Sequence, residues 1–310
     1  MTENISPSSK PPNPEIIEEI AIELGVDPSF VEKDWYAVQV LKIIKDYNHE
    51  QIEAIFSGGT NLSKAYGIIE RFSEDIDLRA QFDEIPTGGE RKKFRDGLIK
   101  AVNTSPHLKV IKDSVKTRDS RRFFSFDIEY PQTFETAGSL RPHLKLEFKL
   151  RKPQTEPETK PIRSFVNQFT NAKPETDIAC ISPLEIAADK LSALTWRILN
   201  NERNSETYDP TIMRHLHDLS ALLTIIKENP GIFKTLAGSS FNDDHQQSRH
   251  DITHSLQESS ERTLQTLKDD PSFEQDYQNF VAAMSYATED TSIGFSQAIE
   301  AFQEIIDLFK

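Results

Sequence analysis

Phe56-Ser-Gly-Gly-Thr-Asn-Leu-Ser-Lys-Ala-Tyr-Gly-Ile-Ile-Glu-Arg-Phe-Ser-Glu-Asp-Ile-Asp-Leu-Arg-Ala80 is the stretch that decides the fold. An apolar run over 51–56 predicts a buried strand, stopped by Ser57-Gly58-Gly59. Residues 60–70 carry helical spacing. Residues 73–82 alternate, with Ile76, Leu78 and Ala80 to one side and Asp75 and Asp77 to the other, which predicts a second strand.

This layout has chemical content. Glycine after a strand lets backbone N–H groups approach phosphates with no side chain in the way, and a following helix turns its positive end to the same place. Gly58 and Gly59 suit that role. Ser57 and Thr60 would add hydroxyl donors, and Lys64 lies one turn into the helix, in reach of a phosphate. There is no Walker pattern, which argues against a P-loop. Asp75 and Asp77, two apart on a strand, point the same way with Cα atoms about 6–7 Å apart. Two carboxylates so placed can bind a pair of Mg²⁺ ions, which orient a triphosphate and stabilise the attacking and leaving oxygens of an in-line displacement. Magnesium completes its shell with phosphate oxygens and water. Glu147, on the polar face of a later alternating strand, is the best third carboxylate, with Asp127 and Glu129 as rivals; Glu147 could equally pair with Lys145 or Lys149. Asp-x-Asp pairs also occur on ordinary surfaces and in metal-dependent glycosyltransferases. The position one helix after Gly-Gly, with a strand on each side, is what points to nucleotide transfer.

Outward from this centre, 15–24 and 30–44 repeat apolar residues at three and four and predict two helices. A basic helix is expected over 90–102, then strands over 108–115, 122–130 and 143–150. Residues 151–177 hold four prolines and little periodicity, and are expected to form a long irregular connection. Ser182-Pro183-Leu184-Glu185 is a helix start, with a capping serine, a first-turn proline and a glutamate able to close a capping box. That helix should run to about residue 200, and from 211 onward the pattern is helical, with breaks at 229–231, 237–244, 270–271 and 287–292. The expected class is therefore α+β: a lead-in over 1–14, an α/β core over 15–180 that includes the N-terminal helices, and a helical C-terminal domain over 181–310.

Bulk properties set limits. The 310 residues are 36% hydrophobic and 28% charged, which suits a globular protein, and the apolar runs are too short to span a bilayer. Residues 1–14 lack the charged start and apolar core of a secretory signal. The one cysteine, Cys180, excludes an intrachain disulfide and fits a reducing, cytoplasmic setting; it reads as a buried thiol. A net charge of −14 argues against nucleic acid, but the charge is unevenly spread. Residues 90–122 hold eleven Lys/Arg against four Asp/Glu, and 240–310 hold four against fourteen. Such asymmetry can mark a polyanion-binding face, or only a solvated surface. Lys190, inside the apolar pattern of Ile186, Ala187, Leu191 and Leu194, is either snorkelling or held near a phosphate. Asp218 could pair with Arg214 one turn earlier. His215 and His217, two apart on a helix, face different ways and do not make a zinc site; His245, His250 and His254 lie in a polar stretch without ligand spacing.

Several of these motifs together resemble a known family. Ser57-Gly-Gly-Thr-Asn-Leu-Ser-Lys64 followed by Arg71-Phe-Ser-Glu-Asp-Ile-Asp-Leu78 is similar to the signature of AbiEii/AbiGii-type nucleotidyltransferase toxins, within the polymerase β-like nucleotidyltransferase superfamily. Val31-Glu-Lys-Asp-Trp-Tyr36, Leu144-Lys-Leu-Glu-Phe148, Pro183-Leu-Glu-Ile-Ala-Ala-Asp-Lys-Leu191 and Arg214-His-Leu-His-Asp-Leu219 resemble further motifs in the same order. The resemblance implies a polymerase β-like core with a helical C-terminal part, and a toxin of a bacterial toxin–antitoxin or phage-defence pair with a cognate antitoxin. It carries phosphate contact to Ser57 and Gly58, metal binding to Asp75 and Asp77, nucleotide binding to Lys190 and an essential acidic role to Asp218. His215 stands where the family's last motif often has aspartate.

The expected activity is metal-dependent transfer of NMP from an NTP to an RNA end, with two Mg²⁺ or Mn²⁺ ions; that the acceptor is the 3′ end of tRNA is what the resemblance implies. The alternatives are GTP binding without turnover, or a different Asp-x-Asp transferase acting on a protein or small molecule.

Overall fold

The computed structural model describes residues 10–200, 208–246 and 253–310. Those residues divide into two compact units, one of 10–67 with 72–181 and one of 68–71 with 182–310.

The first unit is a mixed sheet flanked by helices. Helix α1 (Pro14–Leu24) starts behind Asn13, whose side chain accepts from the Glu15 N–H, and ends at Gly25 in the left-handed region at φ 66°. Nine residues of the expected lead-in lie outside the described residues, and Pro14 is already helical. Helix α2 (Pro28–Asp46) is buried almost all round, and its buried set includes the charged run Glu32-Lys33-Asp34. Then come β1 (Glu53–Ser57), α3 (Gly58–Lys64), β2 (Asp75–Gln81) and α4 (Gly88–Asn103), the last closed by a Thr87/Glu90 capping box. The unit continues with β3 (Lys109–Val110), β4 (Lys116–Arg118), β5 (Phe123–Glu129), β6 (Leu144–Lys149), β7 (Glu158–Ile162), α5 (Phe165–Phe169) and β8 (Thr176–Cys180).

The sheet runs β3-β5-β6-β2-β1-β8-β7, with β4 also on β5. Pairs β2–β6 and β1–β8 are parallel and the others antiparallel. One face is apolar. Leu78 sits opposite Phe148, Ile76 opposite Leu146 and Phe124 opposite Phe148. Phe94 of α4 covers them, its ring 4.9 Å from that of Phe148. Since side chains alternate along a strand, the intervening residues of β2, β6 and β5 all lie on the other face, and apart from Phe123 these are the polar ones.

Three expectations are corrected here. The irregular connection over 151–177 contains β7 and α5 and runs into β8; Pro161 lies within β7, an edge strand, where a missing N–H is tolerated. The strand over 108–115 is broken by a tight turn at Lys112–Ser114, where the Ser114 hydroxyl accepts from the Asp127 N–H at 2.7 Å and leaves β3 and β4 as separate short pieces. The helix after the diglycine covers 58–64, not 60–70: Gly67 takes φ 62° and the chain leaves helical geometry. Cys180 is fully buried, and burial pushes its thiol up to about 12.

The second unit is helical: α6 (Pro183–Asn200), α7 (Met213–Ala221), α8 (Leu223–Glu228), α9 (Pro230–Gln246), α10 (Leu256–Asp269), α11 (Ser272–Met284) and α12 (Phe295–Asp307). The Glu185 N–H donates to the Ser182 hydroxyl at 3.3 Å, the serine cap that the sequence suggested. Residues 237–244 form no break. They lie within α9, which packs on α6 through small residues and two hydroxyl–carboxylate bonds, Ser240 to Asp189 at 2.8 Å and Ser192 to Asp244 at 2.7 Å. Ile186, Leu191, Leu194, Leu216, Phe233, Phe302 and Ile305 form the core of this unit. Segment 68–71 joins it through an isolated bridge between Arg71 and Ser285 and a Tyr286 N–H bond to the Glu70 carbonyl at 3.0 Å.

Candidate active site

The polar face of the sheet in the first unit is built around two facts of register. Ser57, the last residue of β1, pairs with Asp77, and Asp77 pairs on its other side with Glu147. Asp75 is likewise opposite Lys145, which is opposite Asp127. Directly paired residues project to the same side of a sheet. Ser57, Asp75, Asp77, Lys145, Glu147 and Asp127 therefore share one face.

The turn after β1 fits against this face. Gly58 has φ 77°, where side chains are strained, and a Cβ built on it would lie 2.1 Å from Asp77 Oδ2. The Asp77 carboxylate thus lies directly over the diglycine turn, in space only glycine leaves open. Two further bonds fix the turn. The Thr60 hydroxyl donates to the Asp75 carbonyl at 2.5 Å and tethers α3 to the start of β2. The Asn61 amide, fully buried, donates to the carbonyls of Phe56 at 3.2 Å and Ile181 at 3.0 Å. Asn61 was not singled out from the sequence; its place between Thr60 and Leu62 in the signature was its only signal.

Lys64 does not face the carboxylates through its ammonium. It makes a buried ion pair with Asp34 of α2 and sits 3.5 Å over the Phe165 ring. Asp34 also accepts from the Phe165 N–H at 2.8 Å. Burial raises the Asp34 pKa, and Lys64 opposes that rise. Thr60 and Lys64, expected at a phosphate, are therefore engaged in holding the turn and α3 in place.

Glu147 is bound by Lys145 at 2.5 Å, and Asp127 lies 3.4 Å from His143 Nε2. No group of three or more His, Cys, Asp or Glu side chains among the described residues is gathered for a metal ion. The donors that do share the face are carboxylate oxygens, the hard ligands Mg²⁺ prefers, and Mg²⁺ is usually held by one or two protein carboxylates with phosphate and water completing the shell. Asp75 and Asp77, with the Asp77 carboxylate over a Cβ-less turn, suit that ion, with Glu147 in the neighbouring register position.

Asp75 has a partner the sequence reading missed. Arg141 Nη2 donates to Asp75 Oδ1 at 2.7 Å. Arg141 follows a loop pinned to α2, where Glu32 accepts from the Thr133 N–H at 2.9 Å and the Ser29 hydroxyl from the Ala137 N–H at 3.1 Å. The signal available was the charged run Glu32-Lys33-Asp34 among the apolar residues of α2.

Lys190 and Asp218 lie in the second unit and are bound to each other. Lys190 Nζ is 2.5 Å from Asp218 Oδ2, and Arg71 grips the same carboxylate with Nε at 2.7 Å and Nη2 at 2.6 Å. All three are buried. Burial alone would raise the Asp218 pKa, but Arg71 and Lys190 outweigh it and hold the carboxyl well below the usual range. Arg214, expected as the partner of Asp218, instead donates to the Thr211 hydroxyl at 3.2 Å. His215 has both ring nitrogens buried and without a hydrogen-bond partner among the described residues. Burial, then Lys190, Arg214 and Arg197, push its pKa well down and keep the ring neutral. His250 lies outside the described residues.

A family model described as nucleotidyl transferase AbiEii toxin, type IV TA system, matches residues 45–307. Among solved structures, the fold is similar to that of MenT4, a nucleotidyltransferase toxin from Mycobacterium tuberculosis H37Rv, with a TM-score of 0.66 and 14% identity over 96% of this chain and 89% of that one. No curated protein matches the chain.

Proposed function

This chain belongs to the AbiEii family of nucleotidyltransferase toxins of type IV toxin–antitoxin systems, and from that premise we propose that it transfers a nucleoside monophosphate from an NTP to the 3′ end of an RNA, tRNA being the leading acceptor. The observation that carries the reading is the Asp77 carboxylate lying over Gly58 on the face it shares with Asp75. In the reaction, the RNA hydroxyl oxygen forms a bond to the α-phosphorus as the bond to the β-phosphate oxygen breaks. Pyrophosphate leaves, and the hydroxyl proton passes to solvent.

Each residue is assigned a part. Asp75 and Asp77 would hold the divalent ions, with Glu147, now paired with Lys145, as the third carboxylate. Bound Mg²⁺, or Mn²⁺, would supply charge stabilisation at the entering and leaving oxygens. The backbone of Gly58 and Gly59, with the Ser57 hydroxyl, receives the triphosphate; Thr60 orients the turn. Lys64 acts through Asp34 as a support for α3. In the second unit, Asp218 and Arg71 set the position and charge of Lys190, the residue to which the resemblance carries a nucleotide-binding role. Catalysis on this account is mainly positioning and electrostatic stabilisation. The exposed cations Lys112, Lys116, Arg118 and Arg122, with the other basic residues of 90–122, guide the RNA backbone. NTP and RNA substrates place the work in the cytoplasm, and family membership supplies the antitoxin partner. Among the described residues no helix is long and apolar enough to cross a membrane.

The test is incubation with each labelled NTP, Mg²⁺ and total RNA, followed by sizing of the labelled products. One nucleotide class entering RNA of tRNA length is the expected result. Label in protein or a small molecule would instead favour another Asp-x-Asp transferase. GTP retained without pyrophosphate release would mark a binding protein.

A further inference from the structure

Arg141 is mounted in an unusual way. Its backbone is gripped at both polar atoms by one buried ion pair: its N–H donates to Glu74 Oε2 at 2.7 Å, and its carbonyl accepts from Lys33 Nζ at 2.7 Å. Lys33 and Glu74 in turn bind each other at 2.5 Å, with side chains only 5% and 13% exposed. The Arg141 side chain is 36% exposed; its Nε stays 3.6 Å from Glu74 Oε2, and its Nη2 reaches past the mount to Asp75 Oδ1. The root is fixed and the arm lies at the surface of the site.

Stability does not explain the arrangement. A part-exposed Arg–carboxylate pair contributes about 0–1 kcal/mol, whereas ordering the 131–142 loop on α2 has a substantial conformational cost. Electrostatics does explain it. Asp75, Asp77, Glu147 and Asp127 share one face, with Lys145 already committed to Glu147. A cation beside Asp75 offsets carboxylate repulsion before divalent ions bind. Once an ion takes the Asp75 oxygen, the guanidinium is released within one side-chain length of the same place. Its planar, five-donor fork then matches phosphate oxygens.

We propose that Arg141 is a triphosphate-binding residue that occupies Asp75 in the metal-free protein and passes to the phosphates of the incoming nucleotide, with Lys33 and Glu74 as its positioning pair. The assignment rests on the nucleotidyltransferase reading given above, and it lies partly beyond the matched family region, since Lys33 precedes residue 45.

The test uses the full chain without RNA, and compares wild type, Arg141→Ala and Arg141→Lys in two binding measurements. Free Mn²⁺ is titrated by electron paramagnetic resonance. The four non-hydrolysable NTP analogues are then measured by equilibrium dialysis with saturating Mn²⁺. Removing the guanidinium takes away a competitor for Asp75 and a ligand for phosphate, so the two readouts should move in opposite directions. Arg141→Ala should bind bare Mn²⁺ several-fold more tightly and the analogues about tenfold or more weakly, as loss of a charge-assisted phosphate contact implies. Arg141→Lys should restore wild-type Mn²⁺ affinity and only part of the analogue affinity. Both affinities unchanged in Arg141→Ala, or both reduced, would overturn the assignment, the second result marking a structural strut. If wild-type protein holds Mn²⁺ but none of the analogues, the transferase reading itself fails and takes this one with it.

Discussion

The Asp77 carboxylate fills the position that a side chain at residue 58 would need, with Oδ2 2.1 Å from where a Cβ on Gly58 would be. Gly58 also has φ 77°, which L-residues adopt at a cost. Gly58→Ala should therefore do two things together: destabilise the first unit by about 1–3 kcal/mol through strain, and push Asp77 off its place. Chemical denaturation and NTP incorporation measured on the same preparation should show a loss of transfer far larger than the stability loss. Normal transfer by a folded Gly58→Ala protein would contradict the close approach.

Lys64 and Asp34 form a buried pair, so breaking it differs from replacing it. Lys64→Ala leaves a buried carboxylate without its cation and should cost about 3–5 kcal/mol, while Lys64→Met combined with Asp34→Leu should recover much of that loss. Urea unfolding of the single and double variants checks this. A Lys64→Ala protein of wild-type stability with a raised KM for NTP would return Lys64 to the phosphate role.

Acid should weaken the second unit through two groups whose pKa values are lowered on folding. Asp218 is depressed because Arg71 and Lys190 outweigh the effect of burial, so its contribution is present above the ordinary carboxylate range and is lost as pH falls through its folded value. His215 is depressed by burial and then by Lys190, Arg214 and Arg197. The unfolded state then binds the extra proton, and stability falls as pH drops below the ordinary value of 6.5. The slope from one such group is about 1.4 kcal/mol per pH unit. Urea midpoints between pH 7 and 5 should fall in the wild type and fall less in His215→Leu. Parallel curves for the two proteins would show that His215 does not carry the effect.

Glu147 is opposite Asp77 but bound to Lys145 at 2.5 Å. If it joins the metal ions during turnover, Glu147→Gln should lower kcat and raise the Mg²⁺ concentration needed for half-maximal rate, and change stability by less than about 1 kcal/mol, as expected for a part-exposed pair. A Glu147→Gln enzyme with wild-type Mg²⁺ dependence would leave the two aspartates as the whole carboxylate set.

Much of the architecture was legible because periodicity survives in single elements. The alternation of Ile76, Leu78 and Ala80 against Asp75 and Asp77 gave β2 its two faces, and Leu144, Leu146 and Phe148 did the same for β6. The strands β7 and β8 were hidden because a proline sits in an edge strand and each is only five residues long. Residues 237–244 read as a break because Gly238-Ser-Ser is a poor helix sequence alone; in the structure the helix is held there by buried Ala237 and by Ser240, whose hydroxyl donates to Asp189 of α6, while Gly238 faces open space. At the site, sequence identified carboxylates and glycines by their local spacing. It could not show that Lys64 turns to Asp34, that Asp218 is held by Arg71 rather than Arg214, or that Arg141 reaches Asp75. Each of those pairings joins residues 30 to 147 positions apart except the one excluded, which is local. Pairings at such separation are set by topology, not by local pattern.

The central claim is that the carboxylates of Asp75 and Asp77 perform nucleotide transfer together at the diglycine turn. The most direct measurement is incorporation of labelled NTP into RNA by wild type, Asp75→Asn and Asp77→Asn at matched folded concentration, with circular dichroism confirming the fold. The account predicts labelled RNA from the wild type and a loss of at least about 10³-fold in each variant, the scale expected when transition-state charge stabilisation is removed. Full incorporation by either variant with its fold intact would contradict it.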